Sequence, residues 1–151
     1  MSSLANIRLV RELNKLQTGV DKIDEIIIEK PENLMVWFPK IKGPLNTPFE
    51  DGLFDLQITF NEDYPIKPPS IKFLTPMFHP NIYRDGKICI DILQTNEWSP
   101  SQNVRTILIS IISLLMDPNP KSPANREAAE LYVSNKELYE LRVRELINKK
   151  K

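Results

Sequence analysis

A single cysteine and a single histidine stand out in this chain of 151 residues. Cys89 lies in Lys87-Ile88-Cys89-Ile90-Asp91, just after an Asp85-Gly86 turn. It falls inside a stretch, residues 76–102, with no sustained hydrophobic period. Long irregular segments are uncommon in compact domains and tend to be functional. A cysteine between isoleucines is also what a small buried hydrophobe looks like. The turn before it and the acid two residues after it argue for chemistry. As a thiolate, Cys89 can hold an acyl group as a thioester. A cysteine hydrolase would need a base against the sulfur, usually a histidine held by a third group. The one candidate is His79, which sits between Phe78 and Pro80 and reads as a structural turn histidine. An acyl carrier has other needs. It takes its acyl group from another thioester, passes it to an amine and stabilises the tetrahedral oxyanion between. The amide of Asn81 suits that role, and equally suits a turn residue that holds the loop together.

Composition narrows the class further. Twenty Lys and Arg balance twenty Asp and Glu, which argues against a nucleic-acid binder held by bulk charge. One cysteine makes no internal disulfide and fits a reducing compartment. One histidine builds no multi-histidine metal site. No apolar run approaches the roughly 18 residues of a membrane span, and the MSSLANIRLV start lacks the core of a signal peptide. The length suits one domain over residues 1–151.

The elements that must position the loop read as helix, four strands, long loop and three helices, an α+β order. Ser3 is a candidate cap for a helix over residues 4–17, with Ala5, Leu9, Leu13 and Leu16 as its apolar stripe. Arg8, Arg11 and Lys15 fall on another face, either solvated or docking a partner. Strands are predicted over residues 26–28, 35–41, 53–60 and 70–74, the third alternating cleanly, with connections short enough for a meander. A helix begins at Val104 with a wide apolar stripe. A second face of mostly small residues, Thr106, Ile109, Ser110 and Ser113, recurs at helical spacing. Asp117-Pro-Asn-Pro120 ends it. Ser122-Pro123 restarts a helix to about Val133. Ser134 or Asn135 caps a last one to about Asn148, and Lys149, Lys150 and Lys151 suit its C-terminus.

Several strings, in order, resemble the ubiquitin-conjugating enzymes. They are Tyr64-Pro-Ile-Lys-Pro-Pro69, Phe78-His-Pro-Asn-Ile82, Gly86-Lys-Ile-Cys-Ile-Asp-Ile-Leu93, Trp98-Ser-Pro100 and Asp117-Pro-Asn-Pro120. The His79-Pro80-Asn81 triplet ahead of the cysteine is highly specific to that family. The resemblance implies an N-terminal helix, a four-stranded antiparallel sheet and three further helices. It implies that Cys89 accepts ubiquitin as a thioester from an activating enzyme and passes it to a lysine with a ligase, of RING type, holding both parties. Asn81 then matches the oxyanion or loop-organising asparagine. Asp91 and Asn119 match positions that place or desolvate the lysine, and His79 and Pro80 match the structural part of the triplet. Ile66, Ser99 and Pro100, with Arg8 and Arg11, match the ligase-docking segments. Thr106, Ile109, Ser110 and Ser113 match the helix face on which carried ubiquitin folds back. ATP is spent by the activating enzyme, so no bound cofactor or metal is implied. A monomer in cytoplasm or nucleus, without direct nucleic-acid or membrane partners, is expected.

Within the family, Asn33-Leu-Met-Val-Trp37, Thr47-Pro-Phe-Glu-Asp-Gly52 and Ser122-Pro-Ala-Asn125 are most similar to the DNA-repair and N-degron clade. The heterodimeric chain-building clade is second. Two departures stand against the first. The Cys89–Trp98 interval is one residue longer, through Gln94-Thr-Asn-Glu97, and no acidic tail follows Lys151. Ser122 stands where many members carry an acid, which implies less electrostatic help for the lysine. It also offers a proline-directed phosphorylation site, where phosphate adds about −1.5 to −2 charge, or a helix N-cap. The competing readings are a cysteine hydrolase dependent on His79, a silent ubiquitin-binding scaffold, and a carrier of a ubiquitin-like modifier. An intact Cys89 argues against the scaffold.

Overall fold

Helix α1 (Leu4–Thr18) begins where Ser3 accepts the Asn6 N–H at 3.0 Å, and it buries Ala5, Leu9, Leu13 and Leu16. That is the stripe its spacing predicts. The protein is described by a computed structural model over residues 3–94 and 96–149. Thr95 of the lengthened stretch, and Lys150 and Lys151 of the basic end, lie outside the described residues.

Five short strands follow: β1 (Ile26–Ile27), β2 (Val36–Trp37), β3 (Lys40–Lys42), β4 (Leu53–Thr59) and β5 (Ser70–Phe73). All pairs are antiparallel. β1 pairs β3, β4 pairs both β2 and β3, and β5 takes the other edge of β4. The single strand expected over residues 35–41 is therefore two halves, with Val36 opposite Thr59 and Lys40 opposite Asp55. Phe38 and Pro39 separate them because Pro39 has no N–H for the ladder. Its carbonyl still accepts the Leu56 N–H at 3.0 Å. The result is a meander of four strand positions. β4 carries the expected alternation, burying Phe54, Leu56 and Ile58.

Helix α2 (Val104–Met116) opens on a capping box. Asn103 accepts from the Thr106 N–H, and the Thr106 hydroxyl accepts from the Asn103 N–H, both at 2.9 Å. It buries Val104, Ile107, Leu108 and Ile111 in one cluster with Leu9, Trp37, Ile41, Leu56 and Ile58. Helix α3 (Arg126–Ser134) starts later than expected. Its cap is Asn125, which accepts the Ala128 N–H at 3.1 Å, and not Ser122. The backbone before it is drawn elsewhere: the Ala124 and Asn125 N–H groups both donate to the Pro80 carbonyl, at 2.7 and 3.0 Å. Helix α4 (Lys136–Asn148) is capped by Asn135.

The irregular stretch ahead of α2 is pinned to the sheet through Gly86, whose carbonyl accepts the Phe73 N–H at 2.9 Å. Gly86 has φ +93°, and a Cβ there would lie 2.0 Å from the Phe73 carbonyl oxygen. Gly86→Ala is expected to cost about 1–2 kcal/mol from the left-handed backbone alone, with the clash added. A denaturant midpoint equal to wild type would contradict that.

Candidate active site

Cys89 is half-buried at the edge of a shallow cleft of about 180 Å³, lined also by Asp91, Ile92, Ser110, Leu114 and Asn119. Its backbone is fixed: the Cys89 N–H donates to the Asn81 carbonyl at 2.9 Å, and Ile82 and Ile88 form an antiparallel bridge. Asp91 is exposed and opens a short 3-10 turn, Asp91–Leu93.

Asn81 is 1% exposed. Its Oδ1 accepts the Asn119 N–H at 2.8 Å, and its Nδ2 donates to the carbonyls of Asn119 at 2.7 Å and Ser122 at 3.3 Å. A backbone N–H demands the oxygen and two carbonyls demand the NH2, so one amide orientation satisfies all three. The side chain thus ties the 119–122 segment to the cysteine loop, the holding arrangement that was one of its two readings. Both of its N–H groups are engaged.

His79 is wholly buried. Nδ1 accepts the Asn81 N–H at 2.9 Å, so Nε2 carries the proton and donates to the Leu114 carbonyl at 2.7 Å. With both nitrogens engaged it is no base for Cys89, which removes the hydrolase reading. Pro80 is buried beside it and supplies the carbonyl that anchors residues 124–125. Burial pushes the His79 imidazole down from 6.5 to about 4, against the raising effect of the Leu114 carbonyl. Unfolded, the ring takes up a proton as pH falls through 6.5; folded, it stays neutral to about 4. This contribution is therefore fully present above pH 6.5 and lost as pH falls to 4, amounting to about 3 kcal/mol. Denaturant unfolding from pH 7 to 4.5 should show a steeper loss in wild type than in His79→Gln. Equal slopes would sink the assignment.

The family model for ubiquitin-conjugating enzyme matches residues 8–147. This chain belongs to the ubiquitin-conjugating enzymes. It is 50% identical over 153 residues to ubiquitin-conjugating enzyme E2 2 of Neurospora crassa, covering 99% of this chain and 97% of the relative. To the E2 2 of Mycosarcoma maydis it is 51% identical over 148 residues, covering 95% and 77%. A solved structure from Plasmodium yoelii, assigned there to the ubiquitin conjugating enzymes, superposes with a TM-score of 0.88 at 40% identity, covering 99% of this chain and 96% of that one. The enzyme is a transferase of the class that works through a cysteine thioester, in a pathway with ubiquitin, an activating enzyme and ligases.

The remaining residues of the ubiquitin-conjugating pattern fall into two groups. Arg8, Ile66, Ser99 and Pro100 lie on segments knitted together beside α1. Arg8 donates to the Gln102 carbonyl at 2.7 Å, and the Trp98 indole donates to the Pro65 carbonyl at 2.8 Å. Ile66, Pro100 and Arg11 are exposed, while Ser99 is half-buried against Ser101. Sequence reasoning missed the centre of this knot, Glu12. One carboxylate oxygen accepts from Arg8 at 3.0 Å and Tyr64 at 2.7 Å; the other accepts the Val104 N–H at the start of α2, also at 2.7 Å. Burial and this carboxylate hold the Tyr64 phenol far above its usual range. The available signal was position: Glu12 sits four residues after Arg8 and at the margin of the buried stripe. On α2, Ile109 and Ser113 are exposed, and Ser110 donates to the Thr106 carbonyl at 2.8 Å while lining the cleft. The Thr106 hydroxyl belongs to the capping box.

Proposed function

We propose that Cys89 carries ubiquitin as a thioester and delivers it to a substrate lysine. The observation that carries this reading is that the chain has one cysteine, and that cysteine stands half-exposed at the edge of a cleft. The neutral lysine nitrogen attacks the thioester carbonyl, the C–N bond forms, the C–S bond breaks, and the Cys89 sulfur leaves as thiolate and takes up the proton shed by nitrogen. Asp91 and Asn119 flank the path of the amine. Asn81 holds the Asn119 side of that path and is the amide assigned to the developing oxyanion. Ser122 adds no charge of its own, so the lysine receives less electrostatic help than an acid there would give. No cofactor is held, and ATP is consumed by the activating enzyme.

In this reading Arg8, Arg11, Ile66, Ser99 and Pro100 dock a RING-type ligase, and Glu12 sets the spacing of their three segments. The α2 face of Thr106, Ile109, Ser110 and Ser113 receives the carried ubiquitin. The enzyme acts as a monomer in cytoplasm or nucleus. The Asn33–Trp37, Thr47–Gly52 and Ser122–Asn125 strings favour the DNA-repair and N-degron clade. The test is a charging assay with ubiquitin, its activating enzyme and ATP-Mg, run on gels with and without thiol reductant. A band heavier by one ubiquitin that vanishes with reductant supports the reading. Its absence beside an active control carrier would point to a different modifier.

A further inference from the structure

A second cavity, of about 180 Å³, lies where α1 meets the start of α2. Four cations line it: Arg8, Arg11 and Lys15 from one face of α1, at helical spacing, and Arg105 from the first turn of α2. Two carboxylates join them, Glu12 and Asp21. Glu12 is already engaged by Arg8, Tyr64 and the Val104 N–H. Among the described residues no carboxylate pairs with Arg11, Lys15 or Arg105, and the Asp21 carboxylate pairs with no cation. The wall therefore carries an excess of two positive charges in a chain that is neutral as a whole.

Two of the cations are held in place. Arg8 is fixed by Glu12, by the Gln102 carbonyl at 2.7 Å and over the Tyr64 ring. Arg105 is half-buried, and its Nε donates to the Asp21 carbonyl at 3.2 Å, which leaves its two terminal nitrogens for another acceptor. A held guanidinium presents parallel N–H groups that match phosphate oxygens bidentately. Arg11 and Lys15 are exposed and stand four residues apart on α1, where like charges repel. An anion between them removes that repulsion. The N–H groups at the start of α2 are not what draws it, since Val104 donates to Glu12 and Thr106 to the Asn103 side chain.

We propose that this cavity is a binding site for a phosphate group, either free or carried on a side chain. A phosphomonoester brings about −1.5 to −2 charge near pH 7, which matches the excess in the wall. Its oxygens accept from the terminal nitrogens of Arg105 and from Arg11 and Lys15, and the negative Asp21 opposes it. A carboxylate, with a single charge, is a poorer match. Arg8 and Arg11 are also among the ligase-docking residues proposed above, so an occupied cavity neutralises part of that surface. The site itself rests on none of those assignments, because its readout is binding.

The experiment titrates isotope-labelled protein with inorganic phosphate and follows backbone amides by NMR, with chloride at matched ionic strength as the control. Wild type should give saturable shifts that cluster at Arg11, Lys15, Asp21 and Arg105. Arg105→Gln should weaken binding about tenfold or more, as expected for a lost hydrogen bond between charged groups, and Lys15→Gln should weaken it less. Asp21→Asn should tighten it, a gain that loss of folding cannot imitate. Lys136→Gln, on α4, should match wild type. A phosphoserine peptide and its unphosphorylated twin then identify the source. A phosphopeptide that outbinds both its twin and inorganic phosphate makes a phosphorylated partner the ligand; any other order makes free phosphate the ligand. The proposal is overturned if chloride shifts equal those of phosphate, if the shifts do not saturate, or if Arg105→Gln binds as wild type does. These outcomes are independent of the charging assay, which tests the Cys89 reading alone.

Discussion

With Cys89 replaced by alanine, the band heavier by one ubiquitin is expected to disappear entirely. With serine it should survive reductant and cleave in hydroxide. Alanine offers no nucleophile, whereas serine traps the acyl group as an oxyester, a poorer donor to amines than a thioester. The fold should tolerate both changes. What the loop uses at this position is the backbone N–H, bonded to the Asn81 carbonyl at 2.9 Å. Stability within about 1 kcal/mol of wild type is expected for such a partly exposed side chain, measured by denaturant midpoint. An alanine variant that still charges would end the assignment of Cys89.

The second large effect is expected at Asn81. Asn81→Ala leaves the Asn119 N–H without its acceptor and two carbonyls without their donor. Asn119 and Ser122 are exposed, so water takes over part of the pairing and each lost bond costs about 0.5–1.5 kcal/mol. Discharge of the thioester to free lysine should fall about 10²-fold, the lower end of what loss of an oxyanion donor costs. Charging should suffer less, because it needs the sulfur more than the 119–122 segment. Amide hydrogen exchange at Ala124 and Asn125, which bond to the Pro80 carbonyl and not to the Asn81 side chain, tells how the residue acts. Lost protection together with lost discharge makes Asn81 a positioning residue. Intact protection with lost discharge makes it a direct donor to the oxyanion. Unchanged discharge would remove it from the reaction.

Local order was legible from the residues because it follows from periods of two and 3.6 along the chain. The buried stripe of α1, the alternation of β4 and the apolar face of α2 needed no knowledge of neighbours. The cysteine after a Gly turn in an aperiodic stretch likewise marked the place of the chemistry, and the ordered strings around it marked the family. Two readings failed, one over a residue inside its own segment and one over a distant group. A proline inside an otherwise regular run split one strand position into β2 and β3. Ser122 had the residue type for a helix cap, yet the Pro80 carbonyl claims the N–H groups of Ala124 and Asn125, and the helix waits for Asn125 as its cap.

The same division runs through the site. Residue type and spacing determined that Cys89 is the one available thiol, that an amide and an acid stand near it in sequence, and that His79 is poorly placed to be a base. The tertiary structure alone decided that both nitrogens of His79 are engaged, that Asn81 reaches Asn119 and Ser122 across about 40 residues of chain, and that Glu12 joins α1, Tyr64 and the start of α2. The physical reason is that hydrophobic patterning is written locally, while a buried polar group must find its partner wherever folding brings one within about 3 Å.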